Sequence, residues 1–129
     1  MASKVTYQDA GVDTRAAAAL VSDIKADVAR TQKQRQLFNS FGLFAAAFDL
    51  SDYREPVIVT GCDGVGTKVE LLLEHGMEKE AGKDLIAMSV NDIITTGGDP
   101  LLFLDYIGIA KLDPERIKKL ISGMCDYLE

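Results

Sequence analysis

Two segments of this chain read as β-strands, and two strands are too few to cover its helices. Residues 57–62 (VIVTGC) form a short β-branched run after Pro56, and residues 101–110 (LLFLDYIGIA) form a longer one. A sheet of two strands is marginal by itself in water. Four helical patterns compete for it. Asp13 is placed to cap a helix over roughly 14–35 with the apolar stripe Ala17, Leu20, Val21, Ile24 and Val28, fraying into RTQKQRQ after Val28. A second helix opens at Thr67 and is closed by Gly76. A third covers about 83–96, with Leu85, Ile86, Val90, Ile93 and Ile94 apolar and Gly97-Gly98 at its end. The fourth begins at Asp113-Pro114-Glu115, which supply a cap, a proline at the first helical position and an acid in the first turn. It carries Ile117, Leu120, Ile121, Met124 and Leu128 at helical spacing up to Glu129.

A chain ending inside an amphipathic helix is expected to be part of a longer one. The missing sheet is then expected from residues past 129, from a second copy, or from both. The fold class is therefore α/β (α+β), with 1–55 as a helical and irregular N-terminal segment and 56–129 as an incomplete α/β domain. Within the first segment, residues 1–12 read as irregular with Gly11 as a turn point. Residues 37–50 (LFNSFGLFAAAFDL) are apolar without periodicity and are expected to be mobile or partner-dependent.

Composition narrows the function classes. At 129 residues the chain holds one core, and its 47% hydrophobic fraction is that of a globular protein. Fourteen Lys+Arg against 20 Asp+Glu give a net charge of −6, which argues against nucleic acid as the main partner. No apolar run approaches the ~20 residues that cross a bilayer, and MASKVTYQDAGVD lacks the apolar core of a signal peptide. Cys62 and Cys125 form no CxxC pair and read as two free thiols of a cytoplasmic protein. With His75 as the single histidine, no histidine-based metal site or Ser–His–Asp triad fits. His75 itself reads as a donor at a helix C-terminus.

Chemistry concentrates where the first strand meets the second helix. Asp63-Gly64-Val65-Gly66-Thr67-Lys68 stands at a helix N-terminus, where free backbone N–H groups attract anions. The glycines allow close approach of a phosphate, and Lys68 adds a point charge. Gly61 and Gly66 have the spacing of a Walker A loop, but Thr67-Lys68 reverses the required order, so this is not a P-loop. Taken alone, the segment reads rather as a glycine-rich strand-to-helix turn with a capping box, Thr67 at N-cap and Glu70 at N3. Two further acids shift the balance. Asp92 follows Leu85 and Met88 at helical spacing, and Asp105 interrupts the face of Leu101, Phe103, Ile107 and Ile109. Burying a lone carboxylate is costly. Asp63, Asp92 and Asp105, beside an anion loop, fit Mg²⁺ bridging a triphosphate. Asn91 reads either as a donor to phosphate or as a surface residue. Lys25, opposite the Leu20/Ile24 stripe, reads as a solvated lysine.

The segments YQDAGVD (7–13), VTGCDGVGTKVELL (59–72) and DLIAMSVNDIITTGGDPLLFLDYIGIAKLD (84–113) together resemble the AIR synthetase family. The resemblance covers most of the chain in order. It implies the N-terminal ATP-binding domain of a cyclo-ligase, with the C-terminal domain absent and the sheet completed by dimerisation into a shared β-barrel. It implies an ATP-dependent closure of formylglycinamidine ribonucleotide to aminoimidazole ribonucleotide in purine biosynthesis, by a cytoplasmic homodimer, with this stretch inactive alone. ATP and Mg²⁺ are the implied ligands. Asp63, Asn91, Asp92 and Asp105 match the residues that bind them, with Gly64, Gly66, Thr67 and Lys68 near the phosphates and Lys25 in a nucleotide-covering segment. Other readings are a small-molecule kinase of the same superfamily and a dimerisation module without nucleotide. Two departures stand out. The family's run of glycines before the first strand is here QLFNSFGLFAAAF, keeping Phe41-Gly42, and Cys62 replaces a residue that is commonly threonine. The first implies weakened ATP affinity or an altered local geometry.

Overall fold

The computed structural model describes residues 6–7, 11–32, 37–38 and 45–129. Among them the elements are α1 (Thr14–Asp23), α2 (Lys25–Thr31), β1 (Leu37–Phe38), β2 (Ala47–Phe48), α3 (Lys68–Glu74), α4 (Glu78–Ile94) and α5 (Pro114–Leu128). The helix starts at Asp13 and Asp113 form as their residues dictate. Asp13 Oδ1 accepts from the backbone N–H of Arg15 and Ala16, both at 3.0 Å, and Asp113 Oδ1 accepts from that of Arg116 at 3.2 Å. Each satisfies donors that a first helical turn leaves open. Gly76 ends α3 at φ +68, with the Gly76 and Met77 amides returning to Leu73 and Leu72 carbonyls in a Schellman arrangement.

The core lies where α4 crosses α5. Ile86, Ile121, Met124 and Cys125 form its centre, flanked by Leu85, Val90, Ile117 and Leu120. Two glycines set the distance between the helices. A Cβ on Gly82 would meet Met124 N at 2.8 Å and the Leu120 carbonyl closer still, and one on Gly123 would meet the Lys79 backbone at 2.8 Å. Each helix therefore packs directly on the other's main chain, which only glycine permits. Ile24 and Val28 close the core on one side, and Phe103 and Ile107 add to it.

Several expectations change in three dimensions. The helix expected over 14–35 is two helices, because Ile24 flattens to φ −80, ψ −6 between them. Hydrogen bonds continue on both sides, Ile24 N to Leu20 O and Val28 N to Ile24 O, and the bend delivers Ile24 and Val28 to the core. α4 begins at Glu78, five residues before the expected start at 83, because its first turns are held by the crossing on α5. Neither 57–62 nor 101–110 belongs to a β-ladder. Phe103 and Ile107 use one side of their segment on the helices, while Leu104 and Tyr106 are 69% and 94% exposed and Val57 is 88% exposed. β-propensity becomes a ladder only where a neighbouring strand exists, and within the described residues neither segment has one. The sheet found there is the antiparallel pair Leu37↔Phe48 and Phe38↔Ala47, inside the stretch expected to be mobile. Residues 39–44 of that stretch lie outside the described residues.

Candidate functional site

The 61–68 loop lies along α4. A Cβ on Gly61 would stand 3.8 Å from Ile93 Cδ1 and 4.0 Å from Asp92 Cβ, so the loop starts against the turn that carries Asn91 and Asp92. It ends at Lys68, whose Nζ is 2.7 Å from Asp84 Oδ2 on the same helix. Between these points Asp63 Oδ1 accepts the Gly64 N–H at 2.7 Å. Gly66 takes φ +74, a backbone that side chains rarely adopt, and open space faces both Gly64 and Gly66. These are the properties of a loop whose backbone a ligand can approach.

The capping box expected at Thr67 and Glu70 does not form. Thr67 sits at the N-cap position but has helical angles, φ −63 and ψ −21, and its side chain makes no cap bond. A capping hydroxyl needs an extended backbone. Here the turn is closed by the main chain, Val69 N to Gly66 O and Glu70 N to Thr67 O at 3.2 Å. The reading of 63–70 as a turn with a capping box loses half its content. α3 has seven residues, too short for its dipole to make an anion site, which leaves the loop amides as the candidate donors.

The three acids do not converge. Asp63, Asp92 and Asp105 are all exposed, so the desolvation cost inferred for Asp92 and Asp105 does not arise within this chain. Asp92 stands beside Gly61. Asp105 falls between Phe103 and Ile107, which pack on the core, and its charge acts on Cys125 in α5. Among the described residues no three His, Cys, Asp or Glu side chains gather as metal ligands. Asn91 is exposed, and Lys25 is exposed at the first position of α2. Asp9, Phe41 and Gly42 lie outside the described residues. His75 is the C-cap of α3, as its position suggests.

Charges that the sequence reading passed over hold the frame. Arg30 reaches from α2 to Asp126 and Glu129, and it also donates to the Ser122 carbonyl. The guanidinium holds the Asp126 carboxyl below its usual range. Burial pushes the Cys125 thiol up to about 11, opposed by Arg30 and reinforced by Asp27, Asp126 and Asp105. Cys62, by contrast, is an exposed free thiol. Glu78 is 3% exposed, with Oε1 3.6 Å from Arg116 Nε. Asp84 is the partner that a sequence search could have flagged, as an acid near the start of the helix expected over 83–96.

No helix among the described residues is long and apolar enough to cross a membrane. A family model described as AIR synthase related protein, N-terminal domain, matches residues 44–129. Over 125 residues the chain is 46% identical to the phosphoribosylformylglycinamidine cyclo-ligase of Oceanobacillus iheyensis, covering 95% of this chain and 37% of that protein. It is 44% identical over 127 residues to the cyclo-ligase of Leptospira interrogans, covering 96% and 37%. With that of Aromatoleum aromaticum it shares 46% over 121 residues, covering 93% and 34%. The chain thus spans little more than a third of the length of the relatives it matches. A family match over most of its residues nevertheless decides its kinship: the chain belongs to the AIR synthase related proteins and carries their N-terminal domain.

Proposed function

We propose that this chain supplies the nucleotide-binding part of an ATP-dependent phosphoribosylformylglycinamidine cyclo-ligase. The observation that carries the reading is 44–46% identity to proteins of that name across at least 93% of the chain. The loop beside α4 supports it. Backbone amides near Gly64 and Gly66, with Lys68, would receive the phosphates, and Asn91 would donate to them. Lys25 would lie over the nucleotide. The exposed carboxylates of Asp63, Asp92 and Asp105 are oxygen donors suited to magnesium, which keeps waters and phosphate oxygens and needs few protein ligands at once. Magnesium would neutralise phosphate charge during transfer.

In this reading the residues of the loop hold and orient the phosphates while the γ-phosphoryl group passes from ATP to the amide oxygen of formylglycinamidine ribonucleotide, with ADP as the leaving group. Attack by the ring-forming nitrogen then expels phosphate and closes aminoimidazole ribonucleotide. Positioning and charge stabilisation dominate such transfers. The remaining substrate contacts belong to parts of the enzyme outside these 129 residues, so this stretch alone is inactive. The exposed apolar side chains of 57–59 and 102–106 favour completion of a shared barrel by a second copy, in a cytoplasmic homodimer. The same side chains favour a second reading, a dimerisation module without nucleotide. Calorimetric titration of the chain with ATP, with and without Mg²⁺, and its mass in solution separate the two. Magnesium-dependent binding by a dimer supports the first reading; a folded dimer that binds no ATP sinks it for this chain and leaves the second.

A further inference from the structure

Lys68 and Asp84 meet where α3 begins and the second turn of α4 ends, with Nζ 2.7 Å from Oδ2 and side chains 57% and 41% exposed. A pair so exposed adds little to global stability. Its place is more informative. Asp84 and Asp92 are eight residues apart on α4, about 12 Å along a helix axis. Gly61 lies beside Asp92, where an added Cβ would stand 4.0 Å from the Asp92 Cβ, and Lys68 pairs with Asp84. The 61–68 loop therefore starts beside α4 at Gly61 and is fastened to the same helix by charge at Lys68. Between the two, Gly64 and Gly66 face open space. A segment with two glycines gains many conformations once an end is released.

We propose that Asp84 is a positioning residue, which holds Lys68 on α4 and so fixes the span of the 61–68 loop and the direction of its amides toward a nucleotide phosphate. The proposal rests on the nucleotide reading above and deepens it. Asp84 makes no contact with the reacting groups and acts through Lys68.

The test compares the 129-residue chain with its Asp84→Asn, Asp84→Glu, Lys68→Met and doubly substituted forms. Amide hydrogen exchange of 61–67 is read without nucleotide, and Mg²⁺-dependent ATP affinity is read by calorimetry. Asp84→Asn is expected to speed loop exchange and weaken ATP binding by about two- to fivefold each, the range of an exposed ion pair. Asp84→Glu restores most of both. The double variant exchanges no faster than Lys68→Met alone, since both substitutions break one contact. Unchanged exchange in Asp84→Asn overturns the proposal, and so do effects of the two substitutions that simply add. If the parent chain binds no ATP while Asp84→Asn still loosens the loop, the nucleotide reading falls and the tether stands. If the parent binds ATP and Asp84→Asn alters neither readout, the tether falls and the nucleotide reading stands.

Discussion

Cys62 and Cys125 differ by environment alone. The exposed Cys62 is expected to react fully with a thiol reagent in the folded chain, while Cys125 reacts only on unfolding, because burial keeps it protonated to about pH 11. The unfolded thiol ionises from its ordinary value of 9.0. Since the folded value is raised, this thiol's contribution to stability is complete below pH 9 and is lost between about 9 and 11. Chemical denaturation across that window, with Cys125→Ala as control, reads the loss. Asp92 offers the sharper functional test. Asp92→Asn is expected to weaken Mg²⁺-dependent ATP binding at least about tenfold, the size of one lost charged ligand, while leaving ATP binding without Mg²⁺ unchanged. Equal affinities in the two forms would remove Asp92 from the metal's surroundings. At this scale the sequence named the candidates from residue type and place. It could not pair them, since Gly61 with Asp92 and Lys68 with Asp84 are contacts across elements. It also misjudged burial: Asp92 and Asp105 sit in apolar patterns yet face solvent.

The α4–α5 crossing makes the clearest prediction about an element. Gly82→Ala places a methyl group against the main chain near Leu120 and Met124, where neither helix can yield by a rotamer change. A loss of about 3 kcal/mol is expected, at the upper end for overpacking, measured by urea denaturation; an unchanged midpoint would mean that the helices sit farther apart. Arg30 ties α2 to the end of α5 by charge. Arg30→Met is expected to lower the melting temperature more in dilute buffer than in molar salt, because exposed pairs are screened. Its pH dependence follows from Asp126, whose folded value lies below its ordinary 3.8. The pair's contribution is present above that value and disappears as pH falls through the folded one. The difference in melting temperature between parent and variant should therefore shrink in strong acid. Three helix ends were legible because caps are local chemistry: Asp13, Gly76 and Asp113 all act where they stand, whereas α4 ends at Ile94, two residues before the end expected at 96. The start of α4 was not legible, because its first turns are held by the approach of Gly82 and Gly123 at the crossing, a contact between elements. β-strands at 57–62 and 101–110 were read from side chains that favour ladders, and a ladder also requires a neighbour.

Across the whole molecule the described residues form a helical frame with apolar segments on its outside. Val57, Ile58, Leu104 and Tyr106 are 88%, 71%, 69% and 94% exposed, more than scattered surface hydrophobics require. The chain is expected to self-associate, and the double substitution Leu104→Lys, Tyr106→Asp is expected to shift its mass toward the monomer while helical circular dichroism persists. A monomeric parent chain would place the partner of these segments elsewhere in a longer protein.

The crossing of α4 and α5 also sets an order in time. Gly123 is made 41 residues after Gly82, a delay of about 2–8 s at ordinary rates of synthesis. Once both have left the ribosome, the two helices can close on each other without waiting for anything else. Val57, Ile58, Leu104 and Tyr106 stay exposed outside that frame. A newborn molecule thus holds out its most adhesive stretches once its frame has closed, and what becomes of it turns on whether a matching strand or an unrelated one reaches them first.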